Sequence, residues 1–125
     1  MLTTYPAIFY KEKDGSFSVV FPDLNHLATD GSDFNEAMTM AVDCLAGYIY
    51  SEKKDGNILP MPTPIDKIDP HCEDDIDDDY EDVFVNAVSV DMNQYIKEHF
   101  EKQEKISNRF DLNIPIKYNP KLTAI

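Results

Sequence analysis

Apolar and polar residues alternate in the first part of the chain in a pattern that predicts a β-hairpin. Apolar side chains fall on both faces of a predicted strand over Tyr5–Tyr10, and the two-residue period returns over Phe17–Phe21. Between these runs, Asp14 and Gly15 suit turn positions that need positive φ. The pattern therefore predicts two antiparallel strands joined by a short charged loop.

A third strand is predicted directly after the hairpin. Pro22-Asp23 ends the second strand, because proline lacks the N–H that a ladder requires and aspartate favours turns. Leu24–Thr29 then returns as a third antiparallel strand before Asp30-Gly31 breaks the chain. These residues together predict a three-stranded meander.

The next segment has the 3.6-residue period of an amphipathic helix. Asp33, three residues before Glu36, resembles a capping box that satisfies free N–H groups in the first turn. The helix is expected to end near Ser51. Its predicted apolar stripe consists of Phe34, Ala37, Met38, Ala41, Leu45, Tyr48 and Ile49.

Two segments without either period follow the helix. Residues 58–65 contain prolines at positions 60, 62 and 64, and are therefore predicted to be extended. Residues 66–82 are predicted to form a solvated acidic loop, because eight of the ten residues Glu73–Asp82 are acidic and repel one another.

One more strand and one more helix are predicted in the second half. Val83–Val90 is nearly apolar on both faces, as expected of an interior strand. Asp91 with Gln94 is expected to cap a helix that continues to the Glu101–Lys105 region. The order of elements predicts an α+β domain over residues 1–105, with the helices on one sheet face, and a separate tail over residues 106–125.

The charge of the chain is strongly negative and unevenly distributed. The 125 residues include 24 acidic and 11 basic residues, which gives a net charge of -13. Residues 73–92 hold nine acidic residues and no basic residue, whereas residues 93–125 are mildly basic. Such a field repels phosphate backbones and attracts cationic surfaces. We therefore expect a basic partner rather than non-specific nucleic-acid binding, although acidity also serves solubility alone.

Residues that usually carry catalysis or bind metals are scattered. His26, His71 and His99 fall in a turn, an acidic loop and a helix, and none lies beside a Gly-flanked nucleophile. Cys44 and Cys72 do not make a disulfide framework, and the acidic run lacks the glycine and glutamate of a calcium loop. We expect no enzymatic activity, no metal and no cofactor. Without a signal peptide or apolar span, we expect a cytoplasmic protein.

Five short motifs follow one another over residues 4–51: Tyr5-Pro6-Ala7-Ile8-Phe9, Lys13-Asp14-Gly15-Ser16-Phe17, Val20-Phe21-Pro22-Asp23-Leu24, Ala28-Thr29-Asp30-Gly31 and Asn35-Glu36-Ala37. In this order and at this spacing they closely resemble the HicB family of antitoxins. The extended prolines at 60–64, and the Val83–Val90 strand with the Asp91 helix after it, resemble the second half of that family.

The resemblance implies a fold and a partner. The fold is a partial ribonuclease-H-like α+β fold without nuclease residues: a three-stranded antiparallel meander, a helix, a fourth strand and a second helix. The partner is a small basic HicA-type toxin, an mRNA-cleaving enzyme whose active surface the antitoxin covers. An acidic surface suits that role. The exposed sheet edge and the turn of Phe21, Pro22, Asp23 and Leu24 are the candidate contacts, although hairpin closure and core packing explain these four residues equally well.

The C-terminal tail departs from the family pattern. Residues 106–115 resemble the ribbon strand that opens a ribbon-helix-helix domain, but the two helices that should follow are missing, so DNA binding is not expected. Ribbon strands pair between chains, which favours a dimer or a higher homo-oligomer. The alternative is that the tail is a degenerate remnant. The residues assigned to dimerisation or DNA contact are Arg109, Phe110, Leu112, Asn113 and Ile114.

Three functions are consistent with the sequence. The favoured one is an antitoxin that neutralises an RNA-cleaving toxin. The second is an orphan HicB-like domain of prophage or regulatory origin that binds RNA or another protein. The third is a nuclease on the ribonuclease-H-like sheet, which requires carboxylates gathered around magnesium or manganese.

Overall fold

Four strands and two helices make up the described part of the chain, residues 1–73 and 79–101 of the computed structural model. Leu2–Val90 form one compact unit, the sheet domain, whereas Met1 and the described residues from Asp91 onward form a second unit. Short 3₁₀ and π turns lie at Ile65–Lys67 and Lys97–Glu101. The main elements are β1 (Leu2–Lys11), β2 (Phe17–Phe21), β3 (Leu27–Gly31), α1 (Phe34–Lys54), β4 (Asp82–Asp91) and α2 (Met92–Ile96).

The predicted hairpin is confirmed. β1 and β2 pair antiparallel, with Lys11 opposite Phe17. In the turn, the Asp14 carboxylate accepts the backbone N–H of Ser16 at 3.0 Å and its hydroxyl at 2.6 Å. Gly15 has a φ of +92°, a conformation that L side chains rarely adopt, so the glycine is required there.

β3 begins later than predicted. Leu24 is followed by Asn25 and His26, whose φ values are 57° and 60°, and the N–H of Leu27 donates to the carbonyl of Leu24 at 3.1 Å. These residues therefore form a turn rather than the start of a strand. The strand also continues through Asp30 and Gly31, where a break was predicted, because it pairs with β2 to its last residue.

β4 was predicted to be an interior strand, and that prediction is wrong. The strand order is β3-β2-β1-β4, which puts β4 at an edge of the described sheet and β1 inside, with Tyr5–Tyr10 buried throughout. β4 runs antiparallel to β1: the hydroxyls of Thr4 and Ser89 lie 2.7 Å apart, and the N–H of Glu81 donates to the carbonyl of Lys11 at 2.7 Å.

Helix α1 covers one face of the sheet at close range. A Cβ placed on Gly31 would lie 2.3 Å from the backbone nitrogen of Ala37, so only glycine permits this approach. At the start of α1, the ring of Phe34 lies 5.5 Å from Phe9 and 5.6 Å from Phe17, centroid to centroid. The buried residues of α1 are Ala37, Ala41, Leu45, Ala46 and Ile49, which include four of the predicted stripe.

Both ends of α1 have a local cause. The predicted N-cap is confirmed: the Asp33 carboxylate accepts the N–H of Glu36 at 2.8 Å. The helix ends at Lys54 rather than near Ser51, because the hydrogen bonds of its last turn continue to Gly56, which has a φ of +78°. The N–H of Asn57 then donates back to the carbonyl of Glu52 at 2.9 Å, which closes a Schellman-type end.

The second face of the sheet is covered by the connection between α1 and β4. Tyr80 lies 5.1 Å from Tyr10, ring centroid to ring centroid, and Glu73 has 6% of its surface exposed. The prediction that residues 66–82 are solvated throughout is therefore wrong for these positions, and residues 74–78 lie outside the described part. This second cluster contains Ile8, Tyr10 and Val20, with Ile68, Tyr80, Val83 and Val85 packed against them.

In the second unit, α2 begins as predicted. The Asp91 carboxylate accepts the N–H of Gln94 at 3.2 Å and lies 3.3 Å from the N-terminal ammonium of Met1, and these contacts hold the pKa of Asp91 below its usual value. After Ile96 the chain continues as the π turn to Glu101. The predicted tail, residues 106–125, lies outside the described residues.

Candidate partner-binding surface

The turn predicted to contact the partner connects β2 and β3. The side chains of Phe21 and Leu24 are buried, and the N–H of Leu24 donates to the carbonyl of Phe21 at 3.1 Å. Pro22 and Asp23 are half-buried and form the part of the turn that reaches the surface. The structure thus places two of the four candidates in the core. Contact between this turn and a partner stays a prediction.

Asp23 connects the turn to the proline segment, which we define as residues 58–65. Its carboxylate accepts two hydrogen bonds from Thr63, from the backbone N–H at 2.7 Å and from the hydroxyl at 2.8 Å. Aspartate suits this position because a carboxylate offers two oxygens to two donors of one residue. The segment lacks strand partners among the described residues, so side-chain bonds such as these two hold its path.

A third hydrogen bond holds the same segment from β1. The Tyr5 hydroxyl donates to the carbonyl of Pro60. Burial, followed by the nearby charge of Asp23, raises the pKa of the Tyr5 phenol above its usual value. The turn is also tied to α1, because the side-chain amide of Asn25 donates to the hydroxyl of Tyr48 at 2.9 Å. β1 and the β2–β3 turn therefore hold the proline segment directly, and α1 is connected to it through the turn.

The proline segment exposes large apolar side chains. Ile58 is 95% exposed, Met61 is 87% exposed and Ile65 is 45% exposed. Beside it lies an open depression of about 240 Å³, with Pro6 and Ala87 of the sheet on one side and Pro62 and Ile65 of the segment on the other. The segment thus combines projecting apolar groups with a shallow apolar recess.

A buried carboxylate fixes the start of the acidic run. Among the described residues, Glu73 is a charged residue whose side chain is buried. Its Oε1 lies 2.7 Å from Nδ1 of His26, whose ring is largely exposed. Further along, Asp79 forms an ion pair of 2.9 Å with Lys13, which raises the pKa of Lys13. Glu73 is therefore attached to the β2–β3 turn and Asp79 to the β1–β2 turn of the sheet domain.

The described residues hold no group of three or more His, Cys, Asp or Glu side chains placed to bind a metal ion. The Cys44 thiol is half-buried, and burial raises its pKa, whereas Cys72 is exposed. Within residues 1–73 and 79–101, no helix has the length and apolarity needed to cross a membrane. The tail candidates lie outside the described residues: Arg109, Phe110, Leu112, Asn113 and Ile114.

Sequence analysis did not single out Ile58, Met61 or the Asp23–Thr63 connection. Apolar residues at 58 and 61 are visible in the sequence, but the prolines identify only an extended segment. Whether such side chains face a core or solvent depends on which residues hold the segment. Here Asp23 does so from 40 positions away along the chain, and no local pattern encodes that distance.

Within the described residues, a four-stranded antiparallel sheet with α1 across one face, followed by α2, makes up a partial ribonuclease-H-like α+β fold, the fold that the resemblance implied. The chain belongs to the HicB-like antitoxin family: the family described as "HicB_like antitoxin of bacterial toxin-antitoxin system" matches residues 5–114.

The known proteins that are similar to this chain include one curated antitoxin and chains of two solved toxin-antitoxin complexes. Antitoxin HicB 1 of Photorhabdus laumondii is 31% identical over 61 residues, 49% of this chain and 39% of that relative, so the match spans about two fifths of the relative's length. A chain of the toxin-antitoxin complex from Streptococcus pneumoniae is 25% identical with a TM-score of 0.67, covering 98% of this chain and 95% of that one. A chain of the HicA3 and HicB3 toxin-antitoxin complex, 23% identical with a TM-score of 0.54 over 71% and 99%, shows the fold alone.

Proposed function

We propose that this chain is a non-catalytic antitoxin that neutralises a small basic HicA-type toxin, an mRNA-cleaving enzyme, by covering its cationic face. The observation that carries the proposal is the family match over residues 5–114. The net charge of -13 supports it, because a surface that binds RNA is cationic and an acidic protein complements it.

The ion pairs of the hairpin leave this charge complementarity unchanged. Lys13 and Lys11, the two lysines nearest the hairpin turn, lie 2.9 Å and 3.9 Å from the carboxylates of Asp79 and Glu81. Each pair cancels one positive and one negative charge, so the net charge stays at -13. This excess of acidic groups dominates the field that an approaching partner meets, which speeds association with a cationic protein and disfavours RNA.

The proposal has consequences for location and assembly. A protein that neutralises an mRNA-cleaving enzyme acts in the cytoplasm, where mRNA is found. Residues 106–115, whose sequence resembles a ribbon strand, would join two chains into a homodimer through strand pairing. Light scattering of the full chain tests this assembly, and a mass equal to one chain at all concentrations would contradict it.

Co-expression tests the antitoxin role. A HicA-type toxin from the same genome is induced alone, with this chain, or with a Leu45→Asp variant that places a charge in the core. We expect growth to recover with the natural chain and not with the variant. Equal arrest in all three cultures would refute the antitoxin role and leave the orphan HicB-like domain as the better interpretation.

A second assay separates the binding role from catalysis. The purified chain is incubated with RNA and Mg²⁺ or Mn²⁺, and then with RNA and the toxin. We expect no cleavage by the chain alone and stoichiometric inhibition of the toxin. Metal-dependent cleavage that an Asp23→Asn variant abolishes would instead support the nuclease interpretation.

A further inference from the structure

We infer that the proline segment is the surface that docks on the toxin, with Ile58 and Met61 inserting into an apolar recess of the partner that is rimmed by lysine or arginine. This inference rests on the proposed function and goes beyond it by naming the contacting residues and the chemistry of the site they fit.

Exposure is the first argument. Large apolar side chains are normally buried, and those that stay exposed in a group mark a contact surface. Ile58 and Met61 are 95% and 87% exposed, and Ile65 of the same segment is 45% exposed. Elsewhere in the described sheet domain, only Leu2 and Met40 are exposed large apolar residues. The exposed apolar groups available to a partner are therefore concentrated in the proline segment, residues 58–65.

Rigidity is the second argument. Proline restricts the backbone before folding, and the segment is then fixed by the hydrogen bonds from Tyr5 to Pro60 and from Thr63 to Asp23. A segment that is already ordered loses little entropy when it binds. Prolines also favour the extended, polyproline-type conformation that many binding grooves recognise. Pro64 has the matching φ of -56° and ψ of 139°.

Shape is the third argument. The depression between Pro6 and Ala87 on the sheet and Pro62 and Ile65 on the segment is lined mainly by apolar groups. It is large enough to receive one apolar side chain. The segment thus offers two projecting side chains next to one recess, which is the central anchoring arrangement of tight protein interfaces.

Charge identifies the occupant as a basic protein rather than a second copy of this chain. Between Asp55 and Glu73 the sequence holds four acidic residues and one lysine. Of the acidic ones, Asp55, Asp66 and Asp69 are exposed. A second copy would bring the same charges and a net charge of -13 against them. A cationic rim pairs with them instead, while the apolar groups fill the centre of the contact.

A double substitution tests the inference. The probe is a catalytically inactive form of the toxin whose growth arrest the natural chain relieves. We expect Ile58→Ser with Met61→Ser to weaken binding by about tenfold or more, the usual consequence of truncating two central contacts. The matched control is Met40→Ser, an exposed methionine on α1 that is 41% exposed and lies outside the segment. The control should stay within about twofold of the natural chain.

The outcomes separate the two levels of the proposal. If the natural chain relieves no toxin, the proposed function and this inference both fail. If the natural chain binds the inactive toxin and the double variant binds it equally well, the proposed function stands and this inference is wrong. Circular dichroism of both variants should match the natural chain, because none of the three changed side chains belongs to the buried core.

Methyl NMR identifies what covers the segment. The chain has five methionines, so methyl-labelled methionine gives five signals, which single Met→Leu variants assign. We expect unlabelled toxin to shift the Met61 signal and leave the Met40 signal in place. A Met61 signal that shifts with the concentration of the chain alone would identify a second copy as the occupant. A shift on removal of residues 102–125 would identify the chain's own tail, and either result overturns the inference.

Discussion

Asp23 and Thr63 are 40 residues apart in the chain, and the carboxylate of Asp23 accepts both the backbone N–H and the hydroxyl of Thr63, at 2.7 Å and 2.8 Å. This pair joins the β2–β3 turn to the proline segment. The turn that the sequence singled out and the segment that the structure exposes are therefore parts of one connected surface. A substitution at Asp23 is expected to act on a partner through the segment as well as through the turn.

The first prediction concerns the energy of this connection. Asp23→Ala should lower the free energy of unfolding by about 1–3 kcal/mol, because it removes a part-buried carboxylate and leaves the N–H of Thr63 without its acceptor. Thr63→Val removes the hydroxyl bond and keeps the N–H. Urea unfolding measures the loss of unfolding free energy in each variant. The loss in the double variant should be smaller than the sum of the two single losses by at least about 0.5 kcal/mol. Strict additivity would contradict the coupling, and Asp66→Ala, an exposed acid nearby, should change stability by less than about 0.5 kcal/mol.

The second prediction concerns the contact between β3 and α1. Gly31→Ala should destabilise the protein by about 2 kcal/mol or more, because its Cβ would lie 2.3 Å from the backbone nitrogen of Ala37 and the helix must move. Gly47→Ala is the matched control, since Gly47 lies on the exposed side of α1 and a Cβ there meets nothing within 4 Å. The control should stabilise the protein by roughly 0.5–1 kcal/mol through helix propensity. Equal melting temperatures for the two variants would refute the close contact.

The elements that were predicted correctly are those with local causes. The Asp14-Gly15 turn and the Asp33 cap depend on residues within three positions of one another, so the sequence shows them directly. The place of β4 at the sheet edge does not follow from its own apolar pattern. That pattern reflects packing on both faces of the strand. The face opposite α1 packs against Ile68 and Tyr80, which lie in the mostly charged part of the α1–β4 connection.

The third prediction is a pH dependence at the start of α1. The Glu36 carboxylate accepts the backbone N–H of Ser32 at 2.6 Å, and this bond lowers its pKa below the usual glutamate value. A lowered folded-state pKa means that Glu36 contributes stability above its unfolded pKa and loses that contribution as pH falls through the folded value. Glu36→Gln should therefore be less stable than the natural chain at neutral pH and equal to it in acid. A difference that persists unchanged below the lowered pKa would contradict this assignment, and carboxyl NMR measures that pKa directly.

The candidate surface was only partly accessible to sequence reasoning, for the same physical reason. Local features, a strand and a proline before it, identify Asp23 as a turn residue, and the resemblance to the HicB family made that turn a candidate contact. Its partner Thr63 was not identified, because a side-chain hydrogen bond over 40 residues leaves no period in the sequence. The exposure of Ile58 and Met61 depends on the path of the whole segment, which also leaves no period in the sequence.

The last prediction concerns the buried Glu73 and its partner His26. A carboxylate with 6% of its surface exposed must be compensated, and Nδ1 of His26 at 2.7 Å provides that contact. His26→Ala should lower the free energy of unfolding by about 1–3 kcal/mol, because Glu73 keeps its burial and loses the bond. Glu73→Gln should cost less, since an amide preserves one hydrogen bond to the imidazole and carries no charge to desolvate.

A backbone contribution at His26 must be separated from this side-chain effect. The φ of His26 is 60°, in the left-handed region that asparagine adopts more readily than alanine. His26→Asn should therefore be more stable than His26→Ala if the backbone matters, while both lose the contact with Glu73. Urea unfolding of His26→Ala, His26→Asn and Glu73→Gln separates the backbone contribution from that of the contact between His26 and Glu73. If His26→Ala is as stable as the natural chain, the contact does not stabilise the fold, and the buried carboxylate must be compensated by other groups.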